Sequence, residues 1–265
     1  VVVIKGELGD TRSRTVKAAY FLAITAAVSA LLIGCATTSS RFERGEVLLR
    51  EGNAADAEPF LADAAARRPD RFEYVFALGL AREALGNGPA AERAFRRALA
   101  LEPDNVPARY FLGLALERQR RFSEARMQMQ LARDIDPDEP RVLSTLARLE
   151  YRLGDYLAST SAAERVVDSD PCDVSSRNVI ALSYLELDDP QRAQREWESS
   201  LSCDPDDVEA LAGLACVYVS LDDTTVASYY SAAALERQPD LLVTNYWGPR
   251  AFELLVRAVN LWRNP

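Results

Sequence analysis

Few residues in this chain suit acid–base or covalent chemistry. None of its 265 residues is histidine, which removes the commonest general base and metal ligand. Carboxylates are plentiful, but the adjacent pairs Asp188–Asp189 and Asp222–Asp223 stand between apolar runs, where aspartate forms turns. No glycine-rich phosphate loop occurs, and no serine or cysteine has a histidine to activate it. The cysteines Cys35, Cys172, Cys203 and Cys216 lack the spacing of a zinc site. The expectation is therefore no enzyme, no metal, no cofactor and no small-molecule substrate. A net charge of −9 also argues against nucleic acid, whose phosphates need a positive field.

The elements that position these residues are written in a period. Prolines recur every 34 residues, at Pro69, Pro103, Pro137, Pro171, Pro205 and Pro239. Aligned on them, the eighth place of each unit reads Gly45, Gly79, Gly113, Ala147, Ala181 and Ala215. The twentieth reads Ala57, Ala91, Ala125, Ser159, Ala193 and Ala227, and the twenty-seventh Ala64, Ala98, Ala132, Val166, Ser200 and Ala234. The seventh is Leu78, Leu112, Leu146, Ile180 and Leu214, broken only by Arg44 in the first unit. Small residues at two of these columns let paired helices approach, and the third lets the next pair dock. Proline ends the second helix of each pair. Gly52, Gly86 and Gly154, with Asp188 and Asp222 later, mark the turn after the first helix.

These columns resemble the tetratricopeptide repeat. The resemblance implies an all-α, right-handed superhelix (α-solenoid) of six helix-turn-helix repeats, at 38–71, 72–105, 106–139, 140–173, 174–207 and 208–241. Residues 242–265 are expected to cap the array. Gly248-Pro249 suits a helix start, and Phe252, Leu255, Val259 and Trp262 recur at helical spacing to cover repeat six. In this family the first helices line a concave groove that binds a protein or peptide. On that basis Phe42, Phe76, Leu80, Tyr110 and Leu114 form an aromatic and aliphatic ladder; the alternative is packing inside the array or against the lipid-side tether. Repeat four adds Arg141, Arg148 and Arg152 beside Tyr151. That basic group suits an acidic segment or a terminal carboxylate; plain solvated arginines are the alternative. The lysine–asparagine clamp of chaperone-binding members is absent.

The hairpin arrangement bears on the cysteines. Cys172 precedes the first helix of repeat five and Cys203 ends its second, so antiparallel helices bring them together. A disulfide there would stabilise the repeat by about 3–4 kcal/mol; two reduced thiols are the alternative. Cys216 reads as a small buried residue within a helix.

The first 34 residues read as a secretory signal. Arg12, Arg14 and Lys17 precede an apolar run, Ala18 to Gly34. Its end, Leu32-Ile33-Gly34-Cys35, resembles the lipobox of bacterial lipoproteins. The resemblance implies cleavage before Cys35, acylation of Cys35 and a membrane attachment through that lipid. Residues 35–41 then form a short tether overlapping repeat one, and Ala36 after the cysteine implies the periplasmic face of the outer membrane. The alternative is an uncleaved membrane helix holding a cytoplasmic adaptor. No methionine precedes Met127, so translation is expected to start at Val16 from a non-AUG codon, leaving residues 1–15 unmade. By anchor, length and repeat number the chain is similar to the pilotins of type IV pilus secretins and to lipoproteins of tight-adherence (Flp) pili. That similarity implies an envelope assembly scaffold. The alternatives are an adaptor of outer-membrane protein insertion or of murein hydrolases, which are similar in architecture, or a structural scaffold for polysaccharide export.

Overall fold

The structure, a computed structural model, describes residues 38–241 and 247–263. The expected signal, Cys35 and most of the tether fall outside these residues. Thirteen helices and no strand occur among the described residues. The chain divides into two compact units, residues 1–102 and 103–265.

The first unit holds α1 (38–50), α2 (Ala54–Arg67), α3 (Phe72–Ala84) and α4 (Gly88–Leu101). The second holds α5 (Val106–Arg118), α6 (Phe122–Ile135), α7 (Pro140–Arg152), α8 (Tyr156–Ser169), α9 (Val174–Glu186), α10 (Pro190–Cys203), α11 (Val208–Ser220), α12 (Thr224–Arg237) and α13 (Pro249–Arg263). Within each unit the helices form antiparallel pairs, so the class is all-α helical hairpins of tetratricopeptide type. Each second helix stops two residues before its proline, as at Leu101 before Pro103 and Ser169 before Pro171.

The seam inside each hairpin works by matched volumes. A Cβ on Gly79 would lie 2.5 Å from the Phe95 ring, and one on Gly113 would lie 2.3 Å from Met129 Cε. Where the first helix instead carries Ala147, its counterpart across the seam is the small Ala163. Repeat five breaks the pattern with Ala181 and Trp197. There the indole leans forward into the next repeat, into a notch at Gly213 where a Cβ would lie 2.1 Å from the ring. Trp197 is consequently fully buried and joins α10 to α11.

The turn column divides its work between two residues. Gly52, Gly86 and Gly154 have φ of 81°, 72° and 82°, and Arg120, Asp188 and Asp222 take the same left-handed conformation at 60°, 64° and 59°. The residue after each aspartate caps the next helix: Asp189 accepts from Arg192 N–H at 3.0 Å and Asp223 from Val226 N–H at 3.1 Å. The aspartate pairs are thus one turn former and one cap each. Arg120 has no such excuse, since arginine has no local bond to offset the left-handed strain. Arg120→Gly is expected to raise unfolding stability by about 0.5–1 kcal/mol. Urea titration followed by circular dichroism reads this directly; a loss of stability would mean that the arginine side chain holds more than its backbone loses.

The last helix departs from the expected register. It begins at Pro249, but its buried face is Ala251, Leu254, Leu255, Ala258 and Val259, while Phe252 and Trp262 are 42% and 40% exposed. Its N-terminus sets this rotation. Ala251 N–H and Arg250 N–H donate to Glu186 at 2.9 Å and 3.3 Å, and Gly248 N–H donates to Tyr151 Oη at 2.7 Å. The helix therefore packs on α9 as well as on α11 and α12, and covers more than the end of repeat six.

Candidate protein-binding site

The side-chain face of the first helices differs between the two units. In the first unit, Phe42 stacks on Tyr74 with centroids 4.3 Å apart, and Phe76 lies 5.3 Å from Phe72 and 5.8 Å from Phe95. Both rings are half-buried against Leu48, Leu61, Val75 and Leu78. Leu80 is half-buried on the same helix. Much of this aromatic surface is committed to the unit's own core. Tyr110 and Leu114 belong to the second unit, where Tyr110 meets Phe111 edge-on at 5.3 Å.

Repeats three and four build a cleft. The turn after α5 places Arg120 and Phe122 opposite Arg148 and Arg152, which lie one helical turn apart on α7. Together with Leu114, Glu117 and Arg118 they enclose about 420 Å³. Arg148 pairs with Glu117, and Arg152 lies 4.0 Å from the same carboxylate. The Arg152 guanidinium also sits 5.6 Å from the centroid of Phe122, within reach of a cation–π attraction. Arg141 stands apart. It pairs with Glu139 at 2.7 Å and covers the Tyr110 ring at 5.5 Å. That pairing holds the Glu139 carboxyl below its usual range. The arginines expected as one group are thus two: Arg148 and Arg152 share a cleft, and Arg141 pairs locally.

Tyr151 is not an open contact. It is 4% exposed, and its hydroxyl takes the Gly248 N–H. Burial, with Glu186 nearby, pushes the phenol up out of reach of ordinary pH. It is a post for the C-terminal segment. That segment adds a second space of about 360 Å³, lined by Phe122, Arg152, Tyr156, Trp247 and Pro249 among others. Sequence reading missed Arg118 although it occupies a groove position of repeat three. It missed Arg120 because that residue stands in the glycine column, and Trp247 because no repeat register governs it.

Cys172 and Cys203 form a disulfide, with Cα atoms 5.6 Å apart, clasping the start of α9 to the end of α10. Cys216 is fully buried and its thiol is directed at Ala251 O at 3.5 Å; burial pushes the thiol up, away from reactivity. Among the described residues no group of three His, Cys, Asp or Glu is placed to hold a metal ion.

One buried polar cluster titrates. Asn178 donates to Asp207 at 2.9 Å and to Glu209 at 3.3 Å, and Ser200 donates to Asp207 at 2.8 Å. Burial first, then the Asp207 charge, pushes Glu209 up to about 6 from 4.5. A carboxyl whose folded pKa is raised holds its proton longer in the native state. Stability therefore falls as pH rises from about 4.5 to about 6 and stays reduced above. Glu209→Gln keeps an acceptor for Asn178 and is expected to gain about 1–2 kcal/mol at pH 7.5 but little at pH 4. Melting temperatures at both pH values check this; an equal gain at both would assign the effect to packing.

Hairpins sealed by small residues, with side chains of the first helices left open, define a tetratricopeptide fold, a scaffold for protein or peptide contact. The tetratricopeptide repeat family model matches residues 76–140. Among solved structures, PilF of Pseudomonas aeruginosa is similar, with a TM-score of 0.66 at 16% identity over 84% of this chain and 99% of that one. PilW, described as a widely conserved type IV pilus biogenesis factor, has a TM-score of 0.66 at 15% identity over 83% of this chain and 98% of that one. A chain of the APC/C hetero-tetramer Cut9–Hcn1 has a TM-score of 0.63 at 15% identity over 84% of this chain, which spans only 42% of its length. No curated protein sequence matches. At these identities the likenesses establish the fold alone.

Proposed function

We propose that the chain is a lipid-anchored periplasmic scaffold that helps assemble an outer-membrane pilus ring. The observation that carries this reading is Cys35 at the end of a charged-then-apolar leader, a few residues before the first repeat. An acyl chain there and further lipid contacts hold a protein at a bilayer. The open cleft of repeats three and four supplies the contact surface. The disulfide of repeat five suits an oxidising compartment. The pilus assignment draws further support from PilW, a pilus biogenesis factor that this chain matches over nearly all of that protein's length. Among the described residues no helix is long and apolar enough to cross a membrane.

Labelling cells with radioactive palmitate tests the anchor. The wild-type chain takes up label and sediments with the outer membrane, and Cys35→Ala loses both. Label that persists in Cys35→Ala, or a chain retained at the cytoplasmic face, would overturn it. The assembly role is read separately. Removing the chain is expected to leave ring subunits unassembled; heat-resistant multimers at undiminished yield would dismiss the pilus role and leave the anchor standing.

A further inference from the structure

The cleft over repeats three and four has two ends of different chemistry. At one end Arg118, Arg120, Arg148 and Arg152 line a cavity with a single lining carboxylate, Glu117. At the other, Phe122, Tyr156, Trp247 and Pro249 line a second cavity. Phe122 and Arg152 belong to both walls, so the two spaces adjoin. Arg120, Arg148 and Arg152 against that one carboxylate leave an excess of two positive charges, within a chain of net charge −9. Glu117 is already divided between Arg148 and Arg152.

The geometry points to a docking site for an acidic segment of a protein partner, with carboxylate side chains among the arginines and one bulky apolar residue in the aromatic end. This rests on the scaffold reading and names the chemistry of its partner. Charge complementarity selects the occupant. Guanidinium forks match carboxylates in pairs, and Arg152 lies over the Phe122 ring, 5.6 Å from its centroid. An aromatic-walled pocket beside them provides the kind of anchor that dominates binding energy at protein interfaces. The wall bearing Trp247 is fixed by the bond from Gly248 N–H to Tyr151, so the aromatic end is largely formed before a partner arrives.

The test is fluorescence anisotropy with the purified chain and a labelled synthetic peptide carrying three successive glutamates and a nearby tryptophan. Binding is expected to weaken at least tenfold when the glutamates become glutamines, and to weaken steadily with added salt. Arg120→Gly and Arg152→Gln should each lower affinity at least fivefold. Arg96→Gln, a charge change in the first unit, should leave it unchanged. Arg120→Gly keeps the test decisive, because glycine suits the left-handed turn and the variant folds. Equal affinity for the glutamine peptide, or full affinity in both cleft variants, would overturn the proposal. If the acidic peptide fails while crosslinking from Leu114 in cells still captures a protein, the scaffold reading survives and the acidic chemistry proposed for this cleft does not.

Discussion

Replacing Trp197 with alanine is expected to lower the stability of the second unit by about 3–5 kcal/mol. The indole is fully buried and spans from α10 to the Gly213 notch on α11. It is therefore a large apolar contact between repeat five and repeat six, beside the bond from Asn178 to Glu209. In a stack of repeats, stability is a sum of terms within repeats and terms between neighbours. Deleting a neighbour term also divides cooperativity, so thermal unfolding should broaden, with repeat six losing structure first. The backbone at Gly213 offers a second check. Gly213→Ala alone puts a methyl group inside the indole and should destabilise, because a wide planar ring cannot retreat as a flexible chain does. Trp197→Leu combined with Gly213→Ala should recover part of the loss, since the new methyl enters vacated space. Strict additivity of the two changes would show that they do not share a cavity.

The second large effect concerns the disulfide. Converting Cys172 and Cys203 to serine is expected to cost about 3–4 kcal/mol, because the bond closes a sequence separation of 31 residues in the unfolded chain. For a unit of this size that lowers the melting temperature by roughly 6–15 °C. Dithiothreitol should move the wild-type chain by the same amount and leave the double variant unmoved. Cys216 adds no complication, since its thiol is buried and faces Ala251 O. A wild-type melt indifferent to reductant would mean that the chain carries two free thiols.

The hairpins were legible in the sequence because their determinants are local and periodic. Proline at the end of each second helix and glycine or alanine at each seam act through contacts repeated every 34 residues. The cysteine pairing followed from the same register. What escaped is where one residue does another's work. Arg120 sits where three repeats place glycine, and only its φ of 60° reveals that it turns the chain. Trp197 reaches forward to Gly213 in the following repeat, a neighbour that its own repeat does not encode. Tyr151 occupies a groove position yet is consumed by Gly248, 97 residues away. No pattern within a repeat encodes a partner from outside the array. The same long-range bonds rotated α13, so Phe252 and Trp262 face outward although their spacing matched a buried stripe.

The site was half legible. Arg148, Arg152 and Leu114 were named from their places on the first helices, and they do share one cavity. Charge spacing alone did not reveal that Glu139 draws Arg141 away, because that pairing depends on the loop before α7. Phe42 and Phe76 show the reverse limit: aromatic residues at groove positions also serve the core when neighbouring rings stand within stacking distance.

Site-specific photocrosslinking in living cells tests the central claim most directly. A photoreactive residue at Leu114, inside the cleft, is compared with one at Leu157, a 68% exposed position on the second helix of repeat four. The account predicts a discrete protein adduct from Leu114 and none from Leu157. Adducts from Leu157 alone, or from neither position, would contradict it.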